Sequence, residues 1–133
     1  MDKGQLLTGE APQRDAPPRA IIPVAGIGAS AGGLEVFKLL LADLPADTGL
    51  AIVFVQHLAP QHHSMLAEIL ARATAMPVSE AADGMPVEAN HVYVIPANAD
   101  LTIARGALRL VPRRPTTGLH MPIDRFLRSL AED

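Results

Sequence analysis

Ser30 stands within Gly28-Ala29-Ser30-Ala31-Gly32, a G-x-S-x-G spacing. Small neighbours let a backbone turn sharply and present a hydroxyl, and between a strand and a helix this spacing suits a serine nucleophile. A helix opening just after Gly32 aims unpaired N–H groups and a positive dipole end at the same place. Such groups stabilise the oxyanion of a tetrahedral intermediate. A serine nucleophile also needs a base. His57 follows the apolar run 50–55, at the C-terminal end of what reads as the next strand. In a parallel sheet adjacent strands end on one edge, so Ser30 and His57 would project into one crevice.

Other readings of these residues stay open. The stretch 26–33, Gly-Ile-Gly-Ala-Ser-Ala-Gly-Gly, invites dinucleotide binding. That fingerprint needs G-x-G-x-x-G and an acid about 20 residues on. Here Ala31 stands three after Gly28, and the second apolar run ends in Gln56-His57. A phosphate-binding P-loop needs Gly-Lys-Ser/Thr, which is absent; Lys38 falls inside the following helical stretch. Ser30 could also serve only as a helix cap, and His57 only as a strand-end histidine bonded to a loop. His57, His62 and His63 raise the question of a metal. Adjacent histidines on a helix point about 100° apart, and no H-E-x-x-H spacing occurs, so neither a metal nor a cofactor is expected. His62 and His63 read as solvated at a helix start, His91 as structural and His120 as a surface residue near Pro122. Arg105, Arg109, Arg113 and Arg114 form a local basic cluster, a solvated hairpin face or an aid to docking an acidic helix. Met65, Met76 and Met85 read as core or gap filling.

The elements that position Ser30 and His57 follow from hydropathy. Residues 21–27 form an almost continuous apolar run, a buried strand with Pro23 near its start. Residues 34–44 read as a buried helix ended by Pro45, and 50–55 as a second buried strand. Ser64 is a candidate cap for a helix to about Thr74, with Leu66, Ile69, Leu70 and Ala73 on one stripe. This βαβα order predicts a Rossmann-like, three-layer parallel sheet with helices on both faces. Further on, 77–82 is a short strand, Asp83-Gly84 a turn and 91–95 a strand. Residues 101–104 and 108–111 form a β-hairpin across Arg105-Gly106. Pro122 opens a helix with Ile123, Phe126, Leu127 and Leu130 at i, i+3, i+4 and i+7. A parallel sheet of two or three strands leaves an unpaired edge. The expected domain is therefore incomplete at its C-terminus. Residues 1–20, polar and carrying three prolines, read as a disordered leader, and 21–133 as the N-terminal portion of a truncated domain.

Composition narrows the class. The 133 residues carry a formal net charge of −3, which disfavours nucleic acid as a main partner. Apolar residues make up 49% and charged residues 19%, a globular balance. Aromatics are only 3%, so the core must be aliphatic. There is no cysteine, which excludes a thiol nucleophile and cysteine-ligated metals. No apolar run reaches the roughly 18 residues of a membrane span, and no signal peptide pattern opens the chain. No membrane insertion and a cytoplasmic location are expected.

Several stretches in order carry a resemblance. They are 22–33 with its GIGASAGG, 55–60 (Val-Gln-His-Leu-Ala-Pro), 80–84 (Glu-Ala-Ala-Asp-Gly), 91–96 (His-Val-Tyr-Val-Ile-Pro), and His120-Met121-Pro122-Ile123-Asp124 with Leu130-Ala131. Together they closely resemble the catalytic domain of the CheB-type chemotaxis protein-glutamate methylesterases. The His-Met-Pro-Ile-Asp stretch is most similar to versions fused to a methyltransferase in CheB/CheR hybrids. The resemblance implies hydrolysis of glutamate methyl esters on methyl-accepting chemotaxis receptors, with methanol released, and in some members deamidation of receptor glutamines. It implies a Ser–His–Asp triad, with Ser30 as nucleophile, His57 as general base and backbone N–H groups near Ala31 and Gly32 at the oxyanion. A methyltransferase, fused or separate, is an implied partner.

Three departures qualify this. The family's acid lies in a later Gly-x-Asp-Gly segment that this sequence lacks, and neither Asp83 nor Asp124 matches it. Loss of a triad acid costs on the order of 10⁴ in rate in other enzymes, so the activity is expected to be impaired. Ala31 stands where some members carry Thr. The 20 residues before Ile21 are too few for a receiver domain, so control through an attached receiver is not expected. The rival expectation is a non-catalytic signalling or receptor-binding remnant.

Overall fold

The computed structural model describes residues 21–30, 32–56, 65–97, 99–112 and 122–133. Its elements in chain order are β1 (Val24–Ala29), α1 (Gly33–Asp43), β2 (Ala51–Gln56), α2 (Leu66–Ala71), β3 (Val78–Glu80), β4 (Met85–Pro86), β5 (His91–Val94), β6 (Ala99–Ala104), β7 (Ala107–Pro112) and α3 (Pro122–Glu132). The leader 1–20 lies outside the described residues.

Every residue of β2 is buried, as its unbroken apolar run requires. It lies inside a four-stranded parallel sheet of order β1-β2-β5-β3. Successive side chains of β2 enter two cores. Ile52 and Phe54 meet Phe37 and Leu41 of α1 and Leu66 and Leu70 of α2. Phe37 and Phe54 stack with centroids 4.3 Å apart. Ala51, Val53 and Val55 turn to the opposite face, toward Phe126 of α3 and Leu101, Ile103 and Leu108. The sheet is thus covered by α1 and α2 on one face, and by α3 with a second sheet on the other. This is the expected mixed α/β architecture.

Four details differ from the sequence expectation. β1 begins at Val24 rather than Ile21. Pro23 has no N–H for the ladder, though its carbonyl accepts from Ala51 N–H at 3.0 Å. The parallel sheet has four strands, because β5 inserts between β2 and β3. The hairpin is part of a three-stranded antiparallel sheet, β4-β7-β6. Two-residue β4, which contains Pro86, is too short for any periodicity to show. Finally, α2 spans only Leu66–Ala71. The residue before it is Met65, which is exposed rather than core; Met76 is buried and Met85 packs at the edge of the core, as expected. Ser64 lies outside the described residues.

Local chemistry explains the turns. Arg105 (φ 54) and Gly106 (φ 72) form the two-residue link between β6 and β7, where consecutive positive φ values match the twist of the strands. At the Asp83-Gly84 turn, the Asp83 carboxylate accepts from Leu110 N–H at 3.0 Å, so Asp83 ties that turn to β7. At the other end of α3 the Asp133 carboxylate accepts from the N–H groups of Arg105 and Gly106. Ser129 Oγ accepts from Ile103 N–H at 3.0 Å, occupying a donor on the outer edge of β6. Among the described residues no helix is long and apolar enough to cross a membrane.

α3 lies close against β1. A Cβ built on Gly26 would sit 3.0 Å from atoms of Phe126 and Leu130, and one on Gly28 would collide with Ile123. Gly28→Val is expected to destabilise the fold by about 1–3 kcal/mol. Adding Ile123→Ala should recover part of the loss in a urea double-mutant cycle. Independent, additive effects would refute the contact.

Tyr93 is 3% exposed, and its hydroxyl accepts from Glu88 N–H at 2.8 Å. Burial raises its pKa above the ordinary 10.0. The neutral phenol is therefore favoured in the folded state. Its contribution to stability is full below the unfolded pKa and is lost as pH rises through the folded one. The chain has one tyrosine and no tryptophan, so tyrosinate absorbance reports Tyr93 alone. The folded chain should titrate above pH 10, and the urea-unfolded chain at its ordinary value.

Candidate active site

Ser30 follows β1 directly and is exposed at the C-terminal edge of the parallel sheet. In the register of the first two strands Ala29 lies opposite Gln56. The site is therefore built on a pair of strands that end level with each other. His57 is the residue after Gln56; it lies outside the described residues, as do Ala31, His62, His63, Arg113, Arg114 and His120. Gln56 is buried, and no acid occupies the ribose-binding position at the end of β2.

The turn that carries Ser30 is tight. The Ser30 carbonyl accepts from Gly33 N–H at 2.9 Å, closing one turn into the start of α1. The cap position of α1 is Gly32, with helical φ and ψ of −72° and −15° and no side-chain cap. Among the described residues no side-chain hydrogen bond caps this helix. Gly33 is needed for packing, because a Cβ there would collide with the Cβ of Ala29. The sequence pattern located this turn correctly. The reasons for Gly28 and Gly33 are close contacts with Ile123 and Ala29, which a local motif does not reveal.

A further component was not legible in the sequence. Because Ile123 lies over Gly28 and Leu130 over Gly26, α3 runs antiparallel to β1 and begins at the Ser30 end. The N-termini of α1 and α3 therefore both lie at this edge, and both dipoles favour developing negative charge there. Each first turn carries an exposed acid, Glu35 and Asp124. Glu35 is 3.5 Å from Lys38, and Asp124 is 3.2 Å from Arg128 of its own helix. Asp124 is thus engaged along α3.

The remaining candidates fall elsewhere. His91 opens β5, at the opposite edge of the sheet, with Nδ1 3.1 Å from Ala89 O and its ring stacked on Tyr93. It is structural, as expected. Arg105 lies in the β6–β7 turn held by Asp133, the residue after α3, and so the length of that helix, about 16 Å, from the Ser30 end. Arg109 is exposed on β7. Neither position supports a role for these two arginines at Ser30.

The comparisons with known proteins fall on this arrangement. The family model described as CheB methylesterase matches residues 25–133, from β1 to the last residue. The chain belongs to the CheB methylesterase family. It is 38% identical over 112 residues to the protein-glutamate methylesterase/protein-glutamine glutaminase 2 of Xanthomonas oryzae pv. oryzae, over 81% of this chain and 31% of that protein. It is 42% identical over 116 residues to such a protein from Anaeromyxobacter dehalogenans, over 81% of this chain and 33% of the relative. The chain thus spans about a third of the length of these curated relatives. The crystal structure of the Thermotoga maritima CheB methylesterase catalytic domain superposes with a TM-score of 0.70 at 27% identity, covering 85% of this chain and 62% of that one. Family and fold agree with the resemblance carried by GIGASAGG and the Gln-His strand end.

Ser30→Ala separates a nucleophile from a cap. Loss of a capping side chain costs about 1 kcal/mol. If Ser30 is a nucleophile and not a cap, the variant should unfold within about 0.5 kcal/mol of the parent in urea. A larger loss would return Ser30 to a structural role.

Proposed function

We propose that this chain carries the nucleophile and base of a protein-glutamate methylesterase site, with Ser30 attacking and His57 as general base. The observation that carries the reading is the exposed Ser30 directly after a strand whose last residue pairs with Gln56, which precedes His57 in sequence. Family membership and the printed activity of the relatives support the reaction class. The substrate is a glutamate methyl ester on a chemoreceptor.

The chemistry follows from that placement. Ser30 Oγ adds to the ester carbonyl carbon while His57 takes the hydroxyl proton. N–H groups at the start of α1, near Ala31 and Gly32, stabilise the oxyanion. When the tetrahedral intermediate collapses, the C–OCH₃ bond breaks and the proton on His57 passes to the departing oxygen, giving methanol. Water then adds to the acyl-serine by the same route, releasing the glutamate carboxylate and restoring Ser30. A glutamine side chain would form the same acyl-serine with loss of ammonia, in keeping with the glutaminase half of the relatives' names.

The acid that orients His57 is not assigned within this chain. Asp83 holds a turn on β7 and Asp124 is paired with Arg128. Hydrolysis by the chain alone is accordingly expected to be slower by about 10⁴ than with a complete triad. The test is intact-mass detection of fluorophosphonate labelling. One adduct is expected on the parent and none on Ser30→Ala, while His57→Ala should slow labelling strongly. Absence of an adduct on the folded parent would favour the receptor-binding remnant.

A further inference from the structure

Of the glycines around Ser30, Gly28 and Gly33 answer to close contacts, with Ile123 and with Ala29. Gly32 does not. Among the described residues, a Cβ added there would meet nothing within 4 Å. Its φ of −72° and ψ of −15° are helical, and any L-residue adopts them. Neither packing nor backbone conformation calls for glycine at this position. Because those angles continue the helix backwards, residues 32, 35 and 38 lie in one row along α1, spaced i, i+3 and i+6.

That row leads into a groove. Leu34, Glu35 and Lys38 of α1 face Ile69 of α2, and Arg72 and Ala73 just after it, around a space of about 460 Å³. A volume of about 300–1,000 Å³ suits a docked ligand. Leu34 and Ala73 pack on the core beneath, while Glu35 and Arg72 are exposed. Glu35 engages Lys38 at 3.5 Å, and among the described residues no ion pair includes Arg72. Two cations against one acid give this groove a positive charge, on a chain whose net charge is −3. It also opens beside the candidate nucleophile. Gly32 is two residues beyond Ser30, and Lys38 is about 9 Å further along the helix axis.

We propose that the groove between α1 and α2 docks the polypeptide that carries the glutamyl ester, through an acidic stretch that passes over bare Gly32 and meets Arg72 and Lys38. This rests on the methylesterase reading and adds to it the path of the substrate. The apolar side chains of Leu34, Ile69 and Ala73 suit one side of a polypeptide segment rather than a lone anion. Arg72 offers a carboxylate a charge-assisted contact. Each turnover of the proposed reaction leaves a carboxylate on the polypeptide, so earlier products on one segment supply acidic side chains beside the next ester. A side chain at position 32 would stand in the path of that segment, whereas a small ester would still reach Ser30.

The test uses a short helical peptide with one glutamate methyl ester and glutamates three and four residues to either side, together with its glutamine-flanked counterpart. Fluorescence anisotropy measures their binding to Ser30→Ala, so that no reaction intervenes. The glutamate-flanked peptide should bind at least about ten-fold more tightly than the other, and rising salt should narrow the gap. Arg72→Glu and Gly32→Leu, added singly, should each weaken its binding by a similar factor. Both positions are exposed, so neither change threatens the fold. Arg109→Glu, the same charge reversal on the second sheet, should leave binding as it was. In the chain with Ser30 intact, a form of the peptide bearing a fluorophosphonate in place of the ester should lose labelling rate in Arg72→Glu and Gly32→Leu relative to a small alkyl fluorophosphonate. Equal binding of the two peptides overturns the inference, as does a loss no greater for Arg72→Glu than for Arg109→Glu, or binding that Gly32→Leu does not weaken. Selective peptide binding without any labelling of Ser30 would support the docking surface and remove the proposed chemistry.

Discussion

The close approach of α3 to β1 organises both halves of the molecule. It depends on Gly26 and Gly28, whose missing side chains let Phe126, Leu130 and Ile123 reach the strand backbone. Phe126 then completes the core that includes Val53, Val55 and the second sheet. Ser129 of the same helix occupies a donor of β6, and Asp133 just beyond it holds the β6–β7 turn. Without that contact the second sheet would lose its link to the first, and the helix N-terminus would leave the edge where Ser30 sits. The glycines of the motif thus serve packing first. The exposed serine is what remains when the strand end is fixed from both faces.

Electrostatics at this edge follow from the same geometry. Two helices begin beside one short turn, and their acids pair with basic residues of their own helices, Glu35 with Lys38 and Asp124 with Arg128. Such surface pairs contribute little to stability. Here they partly offset the acids' charge beside the Ser30 turn, where an oxyanion is proposed to form. Asp100, by contrast, is buried and pairs with Arg125 at 2.9 Å, fastening α3 to β6 near the start of the helix.

Much of the architecture was legible because its signals are local and strong. The runs at β1, β2 and β5 showed as apolar blocks, the β6–β7 hairpin as two strands around Arg105-Gly106, and α3 as a four-residue stripe. β1, however, is only partly buried and not buried as its run suggested. The exposed turn at Ser30 was legible because G-x-S-x-G between a strand and a helix is a short signature. What stayed hidden depends on contacts far apart in sequence. The place of β5 between β2 and β3 is a matter of pairing, not of pattern. β4 owes its existence to β7, and Met76, in the segment after α2, joins the core with Leu66 and Leu70 while Met65, just before α2, stays exposed. The register is read only for Ala29 and Gln56; that Ser30 and His57 act together is part of the proposal, since His57 lies outside the described residues.

The strand order also bears on how the chain assembles as it is synthesised. β1, α1 and β2 emerge first and can pair at once, with only a short helix between them. β3 emerges next, yet its sole partner in the sheet is β5, which follows it in sequence. Until β5 inserts beside β2, β3 has no ladder to join. The sheet therefore cannot grow in the order in which it leaves the ribosome. A nascent chain stalled between Glu80 and His91 would hold a two-stranded sheet with one face of β2 still exposed, a species for which aggregation and chaperone capture compete with folding.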